Sequence, residues 1–600
     1  MVKSYIQMKE EQLIRDGKMN KYYTRERNVQ ILLQLLKKYG IKKVIASPGT
    51  VNMSFVGSLQ NDSFFEMYSC VDERSAAYMA CGLSEESGEA VVITCTGATA
   101  SRNYLSAMTE AYYRKLPIIA VTATPPLSWT GHNKAQFIDR TNQPKDTVIS
   151  SYELQQVKDA DDEWDCMIKV NRGLNNLKRN GGGPIHFNMV SVDSYDFSYK
   201  EIAPVRMINS YTHKDSFPTL PKEGNIGIYI GSHHKFNKNT KTLIERFCYQ
   251  NNAIVLCDHT SGYTGNYKII PAIYASQNYR EKKVFDFKLI IVLGGVSGDY
   301  YTERILQQAK ETWRVNEDGE IKDTFYNLTK LFDMDEETFF NMIESRDSNN
   351  DKLYLEKSKL LKELRLKIVD DIPFSNIWIA RELSSVIPDN SSVHFGILNT
   401  LRSWNFFEFT NNVDTNCNVG GFGIDGCLSS AIGASLYNQD KLYFGILGDL
   451  SFFYDINSLA NRHIGNNVRI LLVNNGKGIE FRNKTHPGYK WGDDADSFIA
   501  AAGHFGNKSA TLVKSYSESL GYKYLCAHNK VEFRAASIEF VMRPSADMKP
   551  IIFEAFIDSE DDVNALSYTI SLIKDNSLKG NIKHVAKKVL PNSIIETIKK

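Results

Sequence analysis

The 600-residue chain reads as an α/β protein, with three α/β domains in series, each built on a parallel sheet. Two observations predict this. Strand-length apolar runs alternate with helical periods along most of the chain, which is the pattern of helices covering a parallel sheet. Two polar, aperiodic stretches interrupt the alternation, and 600 residues exceed what one core holds. In the first domain, 24–199, RNVQILLQLLKKYG is helical and KKVIAS is a short strand before the turn at Pro48-Gly49. FFEMYSC, AVVITC and LPIIAVTA are further strands, with helices ERSAAYMACGLSEES and TASRNYLSAMTEAYYR between them. Residues 200–223 lose periodicity, hold three prolines and read as a linker. The middle domain, 222–345, carries strands NIGIYI, NAIVLC and KLIIVLGG. After the polar SRDSNNDK, the third domain, 358–560, carries SVHFG, KLYFGIL, VRILLVN and KPIIFEAF. Residues 561–600 read as a helical tail with a lysine cluster from Lys579 to Lys600.

Lys+Arg 71 against Asp+Glu 70 leaves no electrostatic footprint for nucleic acid or an anionic membrane. No apolar run approaches the ~20 residues that span a bilayer, and the charged N-terminus lacks a signal-peptide core. The nine cysteines are odd in number, lack a CxxC pair and lie partly in apolar strands, such as Cys95 and Cys257. They read as reduced core residues of a cytoplasmic protein.

Chemistry first shows in the third domain. KLYFGIL ends at Gly448-Asp449-Leu450, and VRILLVN ends at Asn474-Asn475, with a helix expected over FFYDINSLANRH. Two parallel strands joined by a helix lie side by side, so the Asp449 carboxylate and the Asn475 amide face one point. A few hard oxygen ligands with room for water and phosphate suit Mg²⁺. The small Gly448 and a helix N-terminus near Ser451 suit a phosphate. In the first domain, Glu73 stands where the strand FFEMYSC gives way to a helix. AVVITC runs into Thr96-Gly97-Ala98-Thr99-Ala100-Ser101-Arg102-Asn103, whose small residues let a ligand approach the backbone. Such strand-to-helix junctions are where parallel-sheet folds bind ligands.

Together these segments resemble thiamine diphosphate-dependent enzymes of the 2-oxo acid decarboxylase and carboligase family. The resemblance covers roughly residues 24 to 560, in the order pyrimidine-binding, middle and diphosphate-binding domain. Leu450, where glycine is commoner, together with GFGIDGCLSSAIGASL and GDLSFFYDINSLA, resembles the menaquinone-pathway carboligase branch. Those enzymes add a succinyl-semialdehyde unit from 2-oxoglutarate to isochorismate. The resemblance implies thiamine diphosphate and Mg²⁺ as cofactors. It assigns the metal to Asp449, Asn475 and the backbone carbonyl of Lys477. It assigns the cofactor's surroundings to Gly97, Asn103, Asn399, Ile424, Gly448, Leu450, Ser451, Asn475 and Ile479, with Ile424 under the thiazolium. Glu73 would hydrogen-bond the pyrimidine N1′ and favour its imino tautomer. Glu480, in NNGKGIEF, lies near a proton-relaying glutamate of some relatives. Because Glu73 and the metal site of one active centre come from different chains in this family, a homodimer or homotetramer is implied.

The substrate-reading residues of that branch are mostly replaced. Thr50-Val51 follows Pro48-Gly49 where the branch has Ser-Arg, Thr124-Pro125 stands where an arginine is expected, and Asn418-Val419 replaces Asn-Arg. Arg402 is retained in GILNTLR, but the accompanying serine is Leu398. Losing cations at a site for a polyanion removes charge-assisted hydrogen bonds. The expectation is therefore decarboxylation of a 2-oxo acid with transfer of the aldehyde unit to another carbonyl or enoyl acceptor, not the menaquinone reaction. Simple decarboxylation, or a non-catalytic protein that keeps the fold, stand as alternatives. Arg102, Lys134, Gln136 and Arg402 are the candidates for holding the substrate. His233-His234 and the Gly294–Gly298 turn read as structural loops, the second lacking dinucleotide spacing.

Overall fold

The computed structural model describes residues 22–140, 142–192, 196–277, 284–410, 412–484, 486–545 and 548–573. The chain divides into two compact units. One runs up to Thr212 and includes Asp318–Asp333; the other comprises His213–Glu317 and the chain from Met334 onward.

The first unit is built on six parallel strands: β1 (Lys43–Ala46), β2 (Glu66–Ser69), β3 (Val91–Cys95), β4 (Ile118–Thr124), β5 (Ser150–Leu154) and β6 (Ile185–Val190). Their order is β2-β1-β3-β4-β6-β5. Every residue of β3, β4 and β6 is buried, as expected of strands covered on both faces. One face packs Val29, Leu32 and Leu36 of the helix Arg27–Lys38 with Phe55 and Phe187. The other packs Ala76, Ala77 and Ala80 of the helix Glu73–Ser87 with Tyr104 and Met108. The expected single helix after β3 is two, Ala98–Asn103 and Leu105–Arg114, meeting at the buried Tyr104.

The expected linker holds a three-residue strand, β7 (Asn209–Tyr211). It pairs in parallel with β13 (Leu328–Phe332), in the segment that returns to this unit. Arg206 makes a two-pronged ion pair with the fully buried carboxylate of Asp323, at 3.0 and 2.5 Å. Trp164 Nε1 donates to the same carboxylate at 2.9 Å. Three residues are too few to show a period, and the partner strand pairs Asn209 with Lys330, far along the chain, so sequence pattern alone does not reveal this pairing.

The second unit holds two parallel sheets. The first comprises β8 (Ile226–Ile230), β9 (Ile254–Cys257), β10 (Lys268–Ile269), β11 (Leu289–Leu293) and β12 (Glu311–Val315), with neighbours in the order β10-β9-β8-β11-β12. The second comprises β14 (Ser391–Phe395), β15 (Val413–Cys417), β16 (Tyr443–Gly448), β17 (Val468–Asn474), β18 (Lys523–Ala527) and β19 (Ile551–Phe556), in the order β15-β14-β16-β17-β19-β18. The three parallel α/β sheets are those of the thiamine diphosphate-binding fold. Arg469, inside β17, is wholly buried yet satisfied by the carbonyls of Asn466, Val468, Phe540 and Met542. The glycine-rich turn after β11 serves close backbone packing: a Cβ on Gly231 would lie 2.0 Å from the Gly295 carbonyl oxygen. His233 stacks on Phe236 at 4.1 Å and bonds Glu336 at 3.3 Å, which is a structural use of that histidine pair. Past β19 the helix Ser559–Thr569 is present, whereas Lys579 to Lys600 lie outside the described residues. Among the described residues no helix is long and apolar enough to cross a membrane, and all nine cysteines are free thiols.

Gly173, in the helix Ala160–Asn176, gives a test of this packing. A Cβ there would lie 2.5 Å from Phe187 Cζ. Glycine to alanine inside a helix ordinarily gains up to about 1 kcal/mol. Overpacking costs about 1–3 kcal/mol, so Gly173→Ala is expected to lower stability in chemical denaturation. The added Phe187→Leu change should recover part of the loss.

Candidate functional site

In the first unit, β1 pairs in parallel with both β2 and β3, so the residues following β2 and β3 leave the same edge of the sheet. Asp72 caps the helix after β2, its side chain accepting from Arg74 N at 3.0 Å and from Ser75 Oγ at 2.7 Å. Capping by Asp72 leaves the neighbouring Glu73 free of that task. Glu73 is half-buried, and its Oε2 accepts from Asn103 Nδ2 at 3.0 Å. Two residues assigned on opposite sides of a 30-residue interval thus meet. Gly97 caps the helix that carries Asn103, and its missing Cβ would lie 3.0 Å from the Ala123 carbonyl oxygen. Arg102 donates to the Asp139 carbonyl at 2.9 Å. Lys134 and Gln136 are exposed, Lys134 Nζ lying 5.3 Å from the Trp129 ring and Gln136 taking φ 59°.

In the second unit, Gly448 pairs with Val473 across β16 and β17, which brings Asp449 and Asn475 just past the ends of adjacent strands. Leu450 N donates to Asp449 Oδ1 at 2.8 Å, and Gly476 N donates to Oδ2 at 2.6 Å across the gap. Asp449 is only 6% exposed and forms no ion pair among the described residues. Burial pushes its carboxyl up to about 6, with the backbone N–H groups pulling the other way. Asn475 Oδ1 accepts from Lys477 N at 3.2 Å, and Lys477 Nζ is paired with Asp496 at 2.7 Å. Ser451 Oγ donates to the Ile424 carbonyl at 2.8 Å, which ties the Gly448 turn to the GIDG segment. Gly448 has open space where its Cβ would be, whereas Ile479 is buried.

The helix expected over FFYDINSLANRH is instead the six-residue Asp449–Tyr454 followed by a 3-10 turn, Ile456–Ala460. Asp455 breaks it by turning its carboxylate to Ser429, accepting from N and Oγ at 2.5 Å each. The bond is tertiary, 26 residues back along the chain, so local propensity does not show it.

Two candidates turn out to be each other's partner. Arg402, from the helix Asn399–Trp404, makes a two-pronged pair with Glu480, at 2.6 and 2.9 Å. Both are largely buried. Burial alone would lower the Arg402 pKa, but Glu480 more than offsets it and holds it above the ordinary value. Asp562, absent from the sequence reading, is buried and accepts from Asn376 N and Nδ2 and from Asn399 Nδ2 at 2.8–2.9 Å. It also faces Asn475. In sequence Asp562 lies in SEDD, which looks like ordinary first-turn acids of a helix.

These residues fit a divalent metal with a diphosphate. Among the described residues no three His, Cys, Asp or Glu side chains gather. A metal here would take one carboxylate, one amide and one carbonyl oxygen, leaving positions for phosphate and water as Mg²⁺ requires. Asp449 is a buried anion short of a cation, and each of its oxygens has a lone pair to spare.

Comparison with known proteins gives the same answer. Residues 27–143 match the family model for the thiamine pyrophosphate enzyme N-terminal TPP binding domain. A 2-succinyl-5-enolpyruvyl-6-hydroxy-3-cyclohexene-1-carboxylate synthase of Phocaeicola vulgatus is 31% identical over 569 residues, covering 91% of this chain and 98% of its own. The chain belongs to that family of thiamine diphosphate enzymes. The proteins of the same name from Bacteroides thetaiotaomicron and Flavobacterium johnsoniae are 28% and 26% identical, covering 91% and 90% of this chain and 98% of each relative. Thiamine diphosphate and Mg²⁺ are the cofactors of this synthase family.

Asp449→Asn removes the buried charge but leaves one acceptor oxygen for the Leu450 and Gly476 N–H groups. Without metal the two effects oppose, and the variant should melt close to the parent's temperature near neutral pH. The parent's melting temperature should rise with Mg²⁺ and thiamine diphosphate, as a native-state ligand requires; in Asp449→Asn that rise should largely vanish.

Proposed function

We propose that this protein decarboxylates a 2-oxo acid and transfers the resulting aldehyde unit to a carbonyl or enoyl acceptor other than isochorismate. The observation that carries the reaction class is the buried Asp449, without an ion pair among the described residues, beside Asn475 at the ends of β16 and β17. When bound, thiamine diphosphate supplies the electron sink for loss of CO2. The chain's own groups do the rest. Asp449, Asn475 and the Lys477 carbonyl hold the metal, while Ser451, Asn399 and Gly448 shape the diphosphate pocket. Ile424, Leu450 and Ile479 exclude water. Glu73, positioned by Asn103 at 3.0 Å, holds the proton at the pyrimidine nitrogen.

The change of acceptor rests on Thr50-Val51, Thr124-Pro125 and Asn418-Val419, which stand where the menaquinone branch has cations. It also rests on Arg402, whose guanidinium is already committed to Glu480. Glu480 therefore relays a proton only if substrate displaces that pair. A homo-oligomer with an active site shared between chains, in a reducing cytoplasm that keeps the nine thiols free, completes the reading.

The test is CO2 release from 2-oxoglutarate, pyruvate, oxaloacetate and phosphonopyruvate, with each cofactor and with isochorismate present or omitted. Cofactor-dependent release from one acid is expected, without stimulation by isochorismate. Sustained synthase turnover with 2-oxoglutarate and isochorismate would overturn the change of acceptor. Glu73→Gln should cut the rate about 10²–10⁴-fold, the usual range for a lost proton-transfer group, while still binding the cofactor.

A further inference from the structure

Arg140 of the first unit is 4% exposed and follows β4 by sixteen residues. Its Nη2 donates to the Ala123 carbonyl at 3.1 Å, while Nε and Nη1 are buried without a partner. A buried guanidinium normally faces a carboxylate, because an unpaired buried charge costs several kcal/mol. Here none does. The cavity it lines, about 20 Å³, is bounded by Arg102, Thr122, Gln143, Thr147 and His186 among others, and no Asp or Glu is among its walls. A second cation, Arg102, shares it, held by the Asp139 carbonyl. His186 adds no charge. Burial pushes its pKa down to about 3, and hydroxyls of Thr122 and Ser151 occupy its two ring nitrogens at 2.7 and 2.8 Å. Burial also pulls Arg140 down to about 10, and the charges that act on it are the Cys95 thiol and Arg102.

Two guanidinium groups around a small cavity without an acid describe an anion site. A volume of about 20 Å³ holds one or two atoms of water size. That suits a halide, or the oxygens of a carboxylate entering from the open side. We propose that the cavity between Arg140 and Arg102 binds one small monovalent anion, either a free halide or formate-like ion or the carboxylate end of a 2-oxo acid. Arg140 Nε and Nη1 are donors without a partner on different edges of the guanidinium, each able to give one charge-assisted hydrogen bond to an anion. The site also touches the cofactor wall, since a Cβ on Gly97 would lie 3.3 Å from Arg140 Nη2.

The test uses the full chain without added cofactor, so it stands or falls apart from the proposed reaction. Melting temperature is followed against chloride, formate or 2-oxoglutarate, at ionic strength held constant with a bulky sulfonate salt. A saturable rise with chloride and formate, with the two competing, supports a free-anion site. A rise with 2-oxoglutarate alone supports a substrate carboxylate. In either case Arg140→Gln should abolish the response. Arg140→Lys, which keeps the charge but not the fixed Nε and Nη1 donors, should shift the half-saturating concentration upward about tenfold, roughly the loss of one charge-assisted hydrogen bond. Should Arg140→Gln fail to fold, Arg140→Lys decides. A parent protein indifferent to all three anions, or a response unchanged in Arg140→Lys, overturns the proposal.

Discussion

A buried carboxylate without a cation sets the terms for the second unit. Asp449 is held by two backbone N–H groups, from Leu450 and Gly476, and among the described residues it forms no ion pair, although the charge of Lys508 reaches it. It lies just past the end of β16, beside the end of β17, so the cost of its desolvation can be offset by a divalent metal bound there. The surrounding construction keeps it there. Register between Gly448 and Val473 fixes its height, and Ser451 ties its helix to Ile424. The positive φ of Gly476, 82°, lets the next strand end curl back to donate. Asp562 anchors Asn399 and Asn376 behind the same pocket.

Most of the architecture and the position of the candidate site residues in it are legible because they follow local rules. VRILLVN and ERSAAYMACGLSEES are seen over the same residues as read from the sequence, since an apolar run and a capped helix carry their own signals. Asp449 and Asn475 were legible because parallel strands joined by a short crossover must be neighbours. Glu73 and Asn103 were named separately, and only the fold shows them bonded. What escaped depends on contacts distant in sequence. β7 finds its partner more than a hundred residues away, Asp562 looks like a surface acid, and Arg140 lies in a segment without period. The helix after Gly448 was overextended because Asp455 is claimed by Ser429, a tertiary bond that propensity does not register.

Arg402 and Glu480 satisfy each other in a two-pronged pair, so that arginine becomes available to another group only if the pair opens. A two-pronged buried pair is costly to break, about 3–5 kcal/mol when one partner is removed. A polyanionic acceptor would have to compete with Glu480 for the arginine that remains. The first unit, by contrast, offers an uncommitted guanidinium at Arg140. In that unit Thr50-Val51 and Thr124-Pro125 carry no positive charge, whereas Arg140 and Arg102 line one small cavity.

The central claim is that Glu73 activates a bound cofactor through its pyrimidine ring. Exchange of the thiamine diphosphate C2 proton for deuterium, followed by proton NMR after quenching in acid, measures that step without any substrate. With Mg²⁺ present the parent protein should accelerate exchange well beyond the free cofactor, and Glu73→Gln should return it toward the free rate with the cofactor still bound. Equal exchange in the two proteins, at equal cofactor occupancy, would contradict the account.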